Sequence, residues 1–316
     1  MGVIANYVFD GLPHDLFEIR NGQLRTRHIR CKLDPVADDI SDIAKTATID
    51  YQDTDCAKNY YRHTGWNALL DKYRTEEKNL NFAVPVGGLT AIEKMSSLTT
   101  GPMFMIASDF GDSDMSAIRS LPKRHVATNG CYSVRVNFHA VSKYLEQIGG
   151  NFYAPEHSKS SLETVGLVTN LGKSKYKSLT HAFQSHIRNF GPDEFFMLKK
   201  VVERNFDSHN FQNIIGLLRI SHWDAKFFCG CAPALKESLE TLDLWQKKAV
   251  VQVLCNVDDT YFRCDNTVDP SILIIDMLLA LGEHNCAQEM FCKNEKFLRQ
   301  TATGKIEADR LRAAIN

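Results

Sequence analysis

Two short stretches carry the residues best suited to chemistry. "VIANYVFDGLP" brackets aromatic Tyr7 and Phe9 with Asn6 and Asp10, and "FMIASDFGDSD" sets Asp109 directly after an apolar run. In each, polar side chains sit where a buried strand gives way to a turn. A carboxylate there can orient an amine or guanidinium and accept its proton, and the carboxyl ends of strands are where open α/β sheets bind ligands. Asn and Asp in turns also serve a plainer purpose, accepting hydrogen bonds from nearby backbone amides.

Asp109-Phe110-Gly111, followed later by Ala154-Pro155-Glu156, spells the two ends of a kinase activation segment. Phosphoryl transfer of that type needs a glycine-rich loop, a strand lysine, and a catalytic Asp and Asn upstream. The stretch that should hold the catalytic loop reads "FAVPVGGLTAIEK", so the reading fails. "GLVTNLGKS" (Gly166 to Ser174) ends like a phosphate-binding loop, but one extra residue between its glycines puts the amides out of register. The "LIID" ending at Asp276 resembles a magnesium-binding strand tip, yet Pro270 and the following "MLLAL" put it on a helix. Cys229-Gly230-Cys231, with His209 and His222 nearby, supplies only half of a zinc ligand set and reads as structural.

The candidate residues need elements to hold them. Residues Val3 to Phe9 are β-branched and aromatic and end at "DGLP", a strand and its turn. "HDLFEIRNGQLRTRHIRC" alternates around Asn21-Gly22, a hairpin signal. Residues 33 to 81 read as a surface excursion with a short helix at "GWNALLDKY". Helical spacing at Leu89, Ile92, Met95 and Leu98 precedes the strand "MFMIASDFG". Tyr132 to Phe138 reads as a strand, His139 to Gly150 as a helix and "SLETVGLVTN" as a final strand. The sum is an α/β sheet finished by antiparallel edge strands.

From about Gly191 the pattern becomes helical, opening with Pro192, Asp193 and Glu194 at a helix start. Three further helical stretches follow, and their pairing suggests stacked hairpins loosely similar to tetratricopeptide repeats. The expected organisation is an α/β domain over residues 1–170, a linker over 171–190 and a helical interaction domain over 191–316.

Composition sets the outer limits. The 316 residues are 44% hydrophobic with a formal net charge of −1, which gives no field for nucleic acid or an anionic membrane. The longest apolar stretch, Ile272 to Gly282, is interrupted by Asp276 and falls short of the ~20 residues that span a bilayer. Nine scattered cysteines in a chain of this size fit reduced thiols in the cytoplasm. The residues after Met1 carry no signal-peptide pattern, and Asn6 stands where a myristoylation signal wants Ser or Thr.

Three blocks in order resemble the MidA-like S-adenosylmethionine-dependent methyltransferases. "VIANYVFDGLPHDLFEIRNGQLRTRHI" is similar to that family's Ala-Asn-Glu-(aromatic)-(apolar)-Asp-Ala-Leu-Pro segment and its hairpin with a glycine turn. "MFMIASDFG" resembles its next core strand ending Asp-Tyr-Gly, and "YSVRVNFHAVSKYLEQIGG" a later strand ending Val-Asp-Phe before a helix. The resemblance covers roughly residues 3 to 170 and implies part of a class I, Rossmann-like methyltransferase sheet. Asn6 and Asp10 would close its fourth strand and Asp109 its fifth. The resemblance gives Asn6, Asp10 and Asp109 catalytic roles, Asn6 and Tyr7 contact with S-adenosylmethionine, and a protein arginine as methyl acceptor.

Two departures accompany it. Tyr7 stands where the family has Glu, and the glycine-rich cofactor loop belongs to strands that would lie before Met1. The expectation is a sheet without its cofactor-binding half, inactive alone, with an open fourth strand and a complementing half as partner. The alternative is a non-enzymatic module that grips a protein through residues 191–316.

Overall fold

Apolar residues alternate along "MFMIASD", and this strand becomes the centre of the first sheet. Met103, Met105 and Ala107 are buried in β6 (Met103–Asp109), while the residues between them are half-covered. On one side of it lies β1 (Gly2–Asn6), parallel, with Gly2 opposite Phe104 and Asn6 opposite Ser108. On the other lies β12 (Glu163–Thr169), antiparallel, with Glu163 opposite Asp109. The short β11 (Asn151–Tyr153) pairs antiparallel with β12, giving the order β1-β6-β12-β11. The computed structural model describes residues 1–32, 48–121, 126–128, 132–155, 162–170, 176–189, 192–203, 211–263, 269–300 and 302–315. Two units are present, Met1–Gly191 and Pro192–Asn316. Helix and strand are mixed in the chain, as the pattern implied.

A second, antiparallel sheet in the first unit has the order β4-β3-β2-β5. β2 (Asp15–Arg20) and β3 (Gln23–Lys32) form the expected hairpin, and Asn21 and Gly22 take φ of 51° and 77°, the left-handed values that such a two-residue turn requires. The other two strands lie in or next to the stretch read as a surface excursion. β4 (Thr48–Asp55) alternates Ile49 and Tyr51 with polar residues and stays largely exposed, so it lacks a strong apolar signal. β5 (Asn79–Val84) buries Leu80, Phe82 and Val84 against β2. Helix α1 (Thr64–Glu76) lies between them, where the short helix was expected.

α2 (Val86–Ser97) precedes β6, and Gly88 meets the ring of Phe9 so closely that a Cβ there would lie 2.6 Å from it. After β6, β7 (Gly111–Asp112) leads to α3 (Met115–Ser120). The Tyr132–Phe138 strand is broken: β8 (Val126–Thr128) pairs with β9 (Tyr132–Val134), while β10 (Val136–Asn137) pairs with β7. Helix α4 (Phe138–Gln147) starts earlier than expected because the Asn137 side chain caps it, accepting from the Ala140 amide at 2.9 Å. Gly111, the third residue of the Asp-Phe-Gly triplet, is needed for packing. A Cβ there would lie 2.7 Å from both the Val136 carbonyl oxygen and the Phe138 ring. The stretch read as a linker contains α5 (Lys177–Phe183) and a π-helical turn at Gln184–Arg188; Phe183 lies over Gly166 and against Tyr153.

The second unit consists of seven helices among the described residues: α6 (Pro192–Glu203), α7 (Phe211–Ile220), α8 (Ala225–Ser238), α9 (Leu244–Thr260), α10 (Ser271–Ala280), α11 (His284–Leu298) and α12 (Ala302–Ile315). Proline and side-chain caps set several of their starts. Pro192 opens α6, a reciprocal capping box joins Asp243 to Gln246 at α9, and Asp269 accepts from the Ser271 amide at α10. One apolar cluster runs from Phe211 and Phe228 through Val250 and Leu254 to Ile274, Phe291 and Leu311.

Candidate functional site

At Asn6 the β1 strand ends and Tyr7 takes a left-handed φ of 53°, with its amide still donating to Ser108 at 2.9 Å. This bend carries the chain over the tip of β6. The next three amides then point at a single oxygen: Val8, Phe9 and Asp10 donate to Asp109 Oδ2 at 2.9, 2.7 and 3.3 Å. Oδ1 accepts from Phe110 at 2.8 Å. Asp109 is fully buried, and burial raises its carboxyl pKa while the amides of Phe110, Asp10 and Phe9 pull the other way. Phe9 is buried beneath the turn against Phe138, and His14 Nε2 donates to its carbonyl at 3.0 Å. Burial lowers the pKa of His14, consistent with a neutral ring.

All four sequence-selected residues therefore meet at one tip, but they are not equivalent. Asn6 and Tyr7 are exposed, Asp10 is half-buried, and only Asp109 is enclosed. Both Asp109 oxygens are taken by backbone amides, so its work is to hold the turn that presents the other three. The Asp10 carbonyl accepts from Val134, tying the same turn to β9.

Further charged groups line this edge that the sequence reading did not single out. Arg135 pairs with the buried Asp112, with Nη2 at 2.7 Å from Oδ1, and its guanidinium lies 4.3 Å from the centre of the Phe110 ring. Glu163 is buried opposite Asp109 and accepts from the Ser113 hydroxyl. The acidic density of "DFGDSD" was the available signal for Asp112; nothing local marked Arg135 as its partner 23 residues later.

The fit to S-adenosylmethionine is incomplete. Asn6 and Tyr7, the latter 66% exposed, make at most one wall. The 316 residues contain no Gly-x-Gly turn to cradle the rest of the cofactor. Two concavities, of 370 Å³ beside Cys56 and Arg74 and of 490 Å³ beside Ser96 and Asn170, lie away from this tip.

The other sequence candidates resolve into structure. Cys229 and Cys231 lie on α8, where a spacing of two turns their side chains about 200° apart. Cys231 is buried and donates to Phe228, while His209 lies outside the described residues. Gly166 to Thr169 belong to β12, and residues 171–175 of the phosphate-loop lookalike lie outside the described residues, as does Glu156. Asp276 is on α10 and binds Arg310 through two bonds of 2.9 and 3.0 Å. Among the described residues no group of three or more His, Cys, Asp or Glu is placed to hold a metal, and no helix is long and apolar enough to cross a membrane. No protein-family model matches this chain, nor does any characterised protein or solved structure.

Proposed function

We propose that residues 1–170 are the acceptor-side half of an S-adenosylmethionine-dependent methyltransferase sheet, completed when cofactor-binding strands are added alongside β1. The observation that carries this reading is the state of β1. It runs parallel to β6 with Asn6 and Asp109 at neighbouring tips, as the fourth and fifth strands of such a sheet would, and antiparallel strands follow on the far side. The ladder to β6 uses odd-numbered residues, as in Phe104 N to Met1 O and Tyr7 N to Ser108 O. The amides and carbonyls of Gly2, Ile4 and Asn6 therefore face outward, and no strand pairs with them among the described residues. Ile4 is 84% exposed on this border.

In the completed enzyme the cofactor supplies an electrophilic methyl group, and the residues of this chain align the acceptor. The half-buried Asp10 carboxylate is the group to orient a protein arginine and take its proton; Asp109 positions Asp10 through the turn. The 316-residue protein is expected to show no thermal shift with S-adenosylmethionine. A chimera with the glycine-rich leading strands of a MidA-like methyltransferase fused before Met1 is expected to bind it by calorimetry. A clear shift for the 316 residues alone refutes the incomplete site, and a folded chimera that does not bind refutes the methyltransferase reading.

The second unit supports a further role in gripping a protein partner. Leu244 and Trp245, at the start of α9, are 80% and 68% exposed, and large aromatics are over-represented where interfaces carry their energy. In the full chain, Leu244→Ser with Trp245→Ser is expected to lose partners that the unaltered protein captures. Undiminished capture removes this second reading.

A further inference from the structure

Two thiols from helices far apart in sequence meet in the second unit. Cys255 lies in the second half of α9 and Cys286 in the first turn of α11, with their sulfur atoms 3.9 Å apart. Their register is fixed by a neighbouring polar bridge between the same helices. Asp258, one turn beyond Cys255, accepts from Lys293 at 2.6 Å and from the fully buried Asn294 at 3.0 Å. Both cysteines pack against the helical core yet remain partly exposed, so a small oxidant reaches them.

We propose that Cys255 and Cys286 are a modification site, a thiol pair that a peroxide converts reversibly to a disulfide joining α9 to α11. The sulfurs must close from 3.9 Å to about 2.05 Å, a movement of the kind side-chain rotation supplies. Burial first, and the adjacent Cys286 second, push the Cys255 thiol up to about 11. Either sulfur can meet the oxidant first. Its thiolate attacks one peroxide oxygen, the O–O bond breaks, and hydroxide leaves, giving a sulfenic acid. The other thiol then attacks that sulfur, the S–O bond breaks, and the departing oxygen leaves as water with that thiol's proton. Two thiols and one hydrogen peroxide thus give one disulfide and two waters, and a cellular dithiol reverses the change. This inference is independent of the methyltransferase reading.

The test uses the full chain under native conditions: hydrogen peroxide, a maleimide quench, and digestion without reduction. The expected product is one cross-linked peptide pair containing Cys255 and Cys286, about 2 Da lighter than the two thiol peptides and released by dithiothreitol. Oxidation of the exposed Cys31 and Cys292 shows that the reagent has acted. Phenylarsine oxide, which needs two adjacent thiols, is expected to protect both positions from alkylation in the unaltered protein, a readout that requires no variant to fold. If Cys255 and Cys286 stay separately alkylatable while the exposed thiols are oxidised, or if either is linked elsewhere, the proposal is overturned whatever the arsenical shows.

Discussion

Asp109→Ala is expected to lower the unfolding midpoint of the first unit by about 10 °C, from a loss on the order of 3–5 kcal/mol. The substitution removes no large apolar surface, so the cost comes from polar groups. Four amides, those of Val8, Phe9, Asp10 and Phe110, lose their acceptor at once. Each buried donor left unmatched costs about 1–3 kcal/mol, and the total falls short of a simple sum because the turn can open to water. Opening has its own consequence: Phe9, buried beneath the turn against Phe138, becomes exposed with it. Asp109→Asn keeps one acceptor oxygen but sets an amide group against the remaining donors, and should recover part of the loss. Thermal melts of the two variants followed by circular dichroism measure this. A midpoint for the alanine variant within about 2 °C of the unaltered protein, less than 1 kcal/mol by that scaling, would mean the carboxylate does not hold the tip.

A comparable loss, about 3–5 kcal/mol, is expected for Arg27→Ala in the second sheet. Arg27 reaches Asp53 through two bonds of 2.7 and 2.9 Å, Asn81 through one of 2.5 Å, and Glu18 at 3.2 Å. The side chains of Arg27 and Glu18 are 4% and 5% exposed. The Arg27 guanidinium is the main reason that the Asp53 carboxyl stays below its usual range, and Asp53 in turn raises the pKa of Arg27. Removing the cation leaves the buried Glu18 facing Arg20 alone among the cations of the described residues, at 3.0 Å from a half-exposed side chain. The pair itself is not the source of net stability, because desolvating both partners offsets most of their attraction. Replacing both, as Arg27→Met with Glu18→Leu, should therefore recover the part of the loss that comes from the stranded Glu18, while Asp53 still lacks its cation. Urea melts of the single and double variants separate the two effects; a double variant as unstable as the single one would contradict this account.

The sequence revealed most where one local signal was sufficient. Asn21-Gly22 marked its hairpin because only a few residue types tolerate two successive left-handed conformations. Pro192 announced a helix start for a similarly local reason. β4 was hidden because its residues face water as well as β3, so pairing rather than apolar burial holds it. The break after Val134 was hidden because Asn137 acts as a cap only when the chain turns, and the alternation on either side continues through it.

The candidate site shows the same divide. Asn6, Asp10 and Asp109 were visible as polar residues at strand ends, but their division of labour was not. An aspartate after a strand reads the same whether it faces a ligand or backbone amides, and three of the four amides that occupy Asp109 come from residues 99 to 101 positions earlier. Arg135 likewise stacks on Phe110 only because β7 and β10 run side by side.

The flank of β1, which no strand pairs with among the described residues, bears on behaviour at high concentration. Gly2, Ile4 and Asn6 offer a ladder that no strand takes up among the described residues, with neither lysine nor proline to interrupt it, and such a ladder is a front on which an extended chain can template. A proline introduced at position 4 would sacrifice no ladder bond to β6, since that nitrogen faces away from it, and it would blunt the front while sparing the interior.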